Sequence, residues 1–182
     1  MVFNHLEEET NIGSGCLVVD MHREGHIGVG LLIYSILALP LVLAGFRKLA
    51  LVGGFAVVGL AMLPDQDQRV PGIKHRGITH TVWFALLIGL LFAAAGLLVG
   101  LQAGLLSAVG LTVYGFMLGC TVILSHIAGD VITPMGVKPF APVSNQKYTY
   151  SVAKAANPIA NYLLLALGGA ASLGVLALGT AV

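Results

Sequence analysis

At 182 residues, with 57% hydrophobic and 9% charged side chains and a mean hydropathy of +0.93, the chain lies outside the composition of water-soluble domains. Its 9 Lys and Arg and 8 Asp and Glu cannot cover the exterior of a soluble fold of this size, so one all-α domain embedded in a bilayer is expected. A net charge of +1 without a basic stripe excludes nucleic-acid binding, which needs clustered Lys and Arg against phosphates.

Residues 1–20 do not read as a secretory signal, because Glu7, Glu8 and Glu9 stand where a positive n-region belongs. They are expected to be a disordered extension or a mis-assigned start, with Met21 directly before the first motif and residues 21–182 forming a single domain. Cys16 and Cys120 have neither metal-ligand spacing nor a disulfide framework and read as bystanders.

A hydrocarbon core about 30 Å thick needs roughly 20 apolar residues in helix, and Ile27 to Phe46 supplies them without a charge. Arg47 and Lys48 read as a turn before a short second span, Leu49 to Leu63. Thr81 to Leu101 and Leu105 to Ser125 are two uncharged spans joined tightly through Gln102, hence antiparallel neighbours. Between them, Gly96, Gly100 and Gly104 recur every fourth residue, a pattern that lets helices approach closely. Asn157 offers an N-cap and Pro158 a first helical residue for a fifth span. The expected architecture is a polytopic bundle of about five transmembrane helices.

Alternating topology then sorts the polar residues. His22 and His26 stand where span one begins, the segment Pro64 to His80 follows span two back to that side, and span four returns His126 and Asp130 to it. Arg23, Arg69, Lys74, Arg76, Lys138, Lys147 and Lys154 fall on this side, against Arg47 and Lys48 on the other. By the positive-inside rule, the histidine-rich side faces the cytoplasm of a multi-pass protein of the cell membrane.

Three segments there carry chemistry. In Ser125-His126-Ile127-Ala128-Gly129-Asp130, an imidazole and a carboxylate four residues apart share a helix face and can bind one ion together; the same pair would equally serve to end a helix. Leu63-Pro64-Asp65-Gln66-Asp67 sets two hard oxygen donors near the interface, where an uncompensated charge is costly and a cation would offset it. His75-Arg76-Gly77-Ile78-Thr79-His80 adds two imidazoles, the commonest metal ligand near neutral pH, around an arginine whose forked donors suit phosphate. His26 joins the same face.

These segments, with Gly25-His26 and Thr133-Pro134-Met135-Gly136 in this order, resemble the family of predicted membrane-bound metal-dependent hydrolases that includes the LexA-regulated inner-membrane proteins of bacteria. The resemblance covers residues 21 to 182 and implies a small helical membrane protein with a divalent-metal site. It implies His26, Asp65, His75, His80, His126 and Asp130 as ligands. It departs at Gln68, where the family often has His. A looser similarity to zinc-dependent phospholipases C rests on His126 and Asp130 with the scattered His and Asp.

The resulting expectation is a membrane-embedded phosphoesterase acting on a lipid or lipid-linked substrate, with Zn, or alternatively Mn, Fe or Mg, as one or two ions. Asp67 is read as a second ligand or general base and Arg76 as the group that binds anionic substrate. The segment Lys138 to Lys154, with Tyr148 and Tyr150, is equally a gate at the headgroup layer or a plain connection. The rival class is a non-catalytic metal-binding transporter or sensor. An intramembrane metalloprotease would need a His-Glu-x-x-His helix, which the sequence lacks.

Overall fold

The computed structural model describes residues 21–152 and 157–181, in which five α-helices and two short 3-10 helices are the regular elements. Among the described residues there is no strand, and all five long segments are apolar enough to cross a membrane. The expected N-terminal extension, residues 1–20, and Lys154 lie outside the described residues.

Helix α1, Arg23–Leu43, begins before the apolar stretch does. Hydropathy counts Arg23, Glu24 and His26 as non-membrane, yet Glu24 suits the positive end of the helix dipole in the first turn. The consequence is that His26 stands within the first turn of α1. Helix α2, Arg47–Leu60, takes in Arg47 and Lys48, so the reversal expected there is made by Ala44 to Phe46 instead, with Gly45 at φ +86°. A 3-10 helix, Pro64–Arg69, completes this short span. Helix α3, Val82–Leu101, is capped by Thr81, whose Oγ1 accepts from Phe84 N at 3.3 Å, and follows a second 3-10 turn, Ile78–His80.

Helix α4, Leu105–Val131, runs six residues past the expected end at Ser125 and so carries His126 and Asp130 within it. It stops where Thr133 Oγ1 donates to Asp130 O at 2.8 Å and Pro134 forbids another turn. Helix α5, Pro158–Ala181, starts as expected: Asn157 Oδ1 accepts from Ile159 N at 3.0 Å and Ala160 N at 3.3 Å.

Small residues decide how the helices meet. α1 and α5 run parallel, and their backbones touch where a Cβ on Gly28 would strike Leu164 and one on Gly168 would strike Gly28 O; Ser172 Oγ donates to Leu31 O across the seam at 3.2 Å. α3 and α4 form the antiparallel pair, with Gly96 against Leu111 O and Gly100 against Ala108. Gly104 does not share that face: it turns the chain between the two helices at φ +100° with open space around it. In the centre Tyr34 Oη donates to Ala50 O at 2.7 Å and Tyr114 Oη to Leu49 O at 3.1 Å, tying α1, α2 and α4 together beside Val57, Val122 and Ile123. The outer faces carry large exposed apolar side chains such as Phe55 and Leu106, the complement of a lipid surround.

Candidate metal centre

At the end of the bundle where α1 and α3 begin and α2 and α4 finish, four side chains converge. Nε2 of His80 and Nε2 of His126 are 3.2 Å apart. Asp65 Oδ1 lies 3.1 Å from the first and 3.2 Å from the second, and Asp130 Oδ2 lies 3.4 Å and 3.6 Å from the same two atoms. A tetrahedral ion with ligand bonds of about 2.0–2.1 Å has ligand-to-ligand edges of about 3.3 Å. The five separations bracket that edge.

The orientation of each imidazole follows from its other nitrogen. His126 Nδ1 donates to the carbonyl of Ala61 at 2.7 Å, which puts the ring proton on Nδ1 and turns the Nε2 lone pair inward. His80 Nδ1 meets Thr79 Oγ1 at 3.0 Å, and Thr79 in turn donates to Asp67 Oδ2 at 2.6 Å. That relay fixes His80 in the same tautomer. Two ring nitrogens and two carboxylate oxygens thus face one point, a donor set that fits a divalent cation when both rings are neutral.

His26 supports the same fit. It is 1% exposed, stacks on His126 with ring centres 3.8 Å apart, and has its Nε2 at 3.9 Å from Asp130 Oδ1. Among the described residues neither ring nitrogen has a hydrogen-bond partner, nor has Asp130 Oδ2. A buried polar atom left unbonded costs about 1–3 kcal/mol, and a cation in the cluster would remove that cost. Gly129 makes the approach possible, because a Cβ there would lie 2.8 Å from His26 Nδ1.

Ligand atoms of three overlapping groups come within 4.8 Å of one another: His26, Asp65 and His126; Asp65, His75 and His80; and His80, His126 and Asp130. All six residues expected as ligands are therefore at this end, but not on equal terms. His75 is at the edge, with 26% of its side chain exposed, its Nδ1 donating to Asp67 Oδ1 at 2.8 Å and its Nε2 accepting from Gln68 Nε2 at 3.3 Å. Cys120 belongs to none of these groups, packing instead against Ala85 and Gly89.

Two residues given catalytic roles from the sequence, Asp67 and Arg76, are held in contacts with the protein itself. Asp67 stands behind the centre: its side chain is fully buried and its oxygens are bonded to His75 and Thr79, a position from which it orients His75 and His80. Arg76 points inward, with NH2 donating to Asp130 Oδ1 at 2.8 Å and NH1 to Gly136 O at 2.9 Å. Its side chain is 8% exposed. The guanidinium therefore steadies a carboxylate of the cluster and the turn beyond α4, a task achieved with Arg76 at φ +56°.

Thr79 is the residue the sequence reading passed over, although its place directly before His80 was the available signal. The segment after α4 is strapped down: Val137 and Tyr148 pair through bonds of 3.1 Å and 2.8 Å, Tyr150 N donates to Val131 O at 2.8 Å, and Thr149 Oγ1 donates to Thr133 O at 2.6 Å. Gly136, at φ +57°, turns beneath Tyr148 O.

No curated protein and no solved structure matches the chain. A family does: residues 21–182 match the sequence model of the YdjM inner membrane protein family, and the chain belongs to that family.

Proposed function

We propose that this protein is a membrane-embedded, metal-dependent hydrolase that cleaves a phosphoester of a lipid or lipid-linked substrate. The observation that carries the reading is the convergence of His80, His126, Asp65 and Asp130 with separations of 3.1–3.6 Å. In this reading these four hold the cation and His26 completes the set. Zn fits mixed nitrogen and oxygen donors at tetrahedral edges better than Mg, which prefers six oxygens. Such a cation, when bound, supplies Lewis acidity toward a phosphoryl oxygen and acidifies water.

The chain's own residues do the rest. Asp67 acts through Thr79 to hold His80, Ala61 holds His126, and Arg76 holds Asp130, so the cluster is rigid before any substrate arrives. Asp65 is the member that borders open space, on a cavity of about 580 Å³. The midplane argues against a transport path: the tyrosine hydroxyls there are tied to Leu49 and Ala50, and the described histidines and aspartates gather at one end. The excess of Lys and Arg at that end supports a cytoplasmic orientation, which thiol labelling of a Ser144→Cys variant tests; labelling of sealed cells by an impermeant reagent would refute it. The activity is tested by assaying metal-loaded protein against phosphodiester and phospholipid substrates beside His126→Ala. Equal release from both proteins would overturn the proposal.

A further inference from the structure

The cavity beside Asp65 lies between the start of α1, the end of α2 and the following 3-10 helix, and Arg23, Gln66, Gln68 and Arg69 line it. Both arginines are exposed, and among the described residues neither is in an ion pair. An open cavity lined by a carboxylate and two arginines suits an anion if a cation shares Asp65.

A second cavity, of about 190 Å³, is apolar and lies among α1, α2 and α5, lined by Leu31, Tyr34, Leu51, Phe55, Val58 and Leu173 among others. Leu51, Phe55 and Val58 fall on one stripe of α2, and that stripe continues to Met62, which lines the cationic cavity. Val58 and Met62 are one turn apart, about 6 Å along the axis. An apolar recess and a cationic recess therefore follow each other along the same helix face, the charged one at the bundle end that holds the centre.

We propose that the two recesses form one binding site for an anionic lipid, its phosphate held between Arg23 and Arg69 at Asp65 and an acyl chain lying along Val58 and Phe55. Charge complementarity selects the headgroup, and the apolar stripe selects an amphiphile over a free anion. The site deepens the hydrolase reading by specifying what presents the phosphate, yet its occupancy requires no turnover.

The test uses full-length protein in phosphatidylcholine nanodiscs, with phosphatidic acid, diacylglycerol and inorganic phosphate as probes, and metal content measured on the same samples. Phosphatidic acid should bind at least about tenfold more tightly to wild type than to R23Q/R69Q, with R23K/R69K in between. Val58→Trp should weaken the lipid and leave inorganic phosphate unchanged. Equal phosphatidic acid binding by wild type and R23Q/R69Q, or equal binding of diacylglycerol and phosphatidic acid, would overturn the site. Inorganic phosphate binding as tightly as the lipid would overturn the acyl-chain half. Arginine-dependent lipid binding in a protein devoid of metal would uphold the two arginines as the headgroup contact and refute the cation at Asp65, and with it the metal-dependent reading.

Discussion

His80 and His126, 46 residues apart in the chain, bring their Nε2 atoms to 3.2 Å of each other, each turned there by a bond at its Nδ1. Two ring nitrogens so close in a buried setting repel unless a proton or a cation lies between them. The energetic consequences follow from that juxtaposition.

A cation held only by the folded state stabilises it by mass action, by about 4 kcal/mol at a thousandfold excess over its Kd. Thermal unfolding in detergent should move upward with added Zn and downward with a chelator for wild type. For His80→Ala/His126→Ala neither shift is expected.

Asp67→Asn keeps the shape of the side chain but weakens the relay through Thr79 to His80. Loss of such an outer partner costs roughly 10–100-fold in metal affinity. Competition against a chromogenic chelator measures this, and Thr79→Val should reproduce the direction of the effect. Unchanged affinity in both would remove the relay from the account.

Arg76→Ala leaves Asp130 buried beside the cluster without its guanidinium partner, the side chains being 8% and 2% exposed. Breaking a buried pair in this way costs about 3–5 kcal/mol. The loss should be larger in the chelated protein than in the metal-loaded one, where a cation neutralises Asp130. Denaturant midpoints for both forms give the comparison, and equal losses would argue against a cation at Asp130.

Tyr34→Phe removes the bond to Ala50 O, far from the centre. Hydrogen bonds between membrane helices average about 0.6 kcal/mol with a maximum near 1.7, so a small fall in unfolding midpoint with full metal content is expected. Metal loss in this variant would show that the centre depends on the distant helix contacts.

The span count and the gathering of His and Asp at one end were legible because two coarse rules suffice: apolar length fixes a span, and alternation fixes the side. Helix ends were less legible. His26, His126 and Asp130 lower local hydropathy, so the apolar count stops before them, although the backbone continues as helix through all three. Arg47 misled for the same reason: its charge resembles a turn, yet it opens α2. The duties of Asp67 and Arg76 were illegible because a charge in a sequence does not state its partner. Arg76 reaches Asp130 across 54 positions, and Asp67 works through the uncharged Thr79, whose hydroxyl carries no motif of its own.

The most direct measurement is the metal content and X-ray absorption spectrum of detergent-purified wild type beside His126→Ala/Asp130→Ala. Wild type is expected to hold a divalent cation with nitrogen and oxygen neighbours at about 2.0–2.1 Å and no sulfur in the shell, and the variant is expected to lose the ion. Equally little Zn, Mn, Fe or Ni in the two preparations, or a sulfur-ligated ion that the variant retains, would contradict the proposed metal centre.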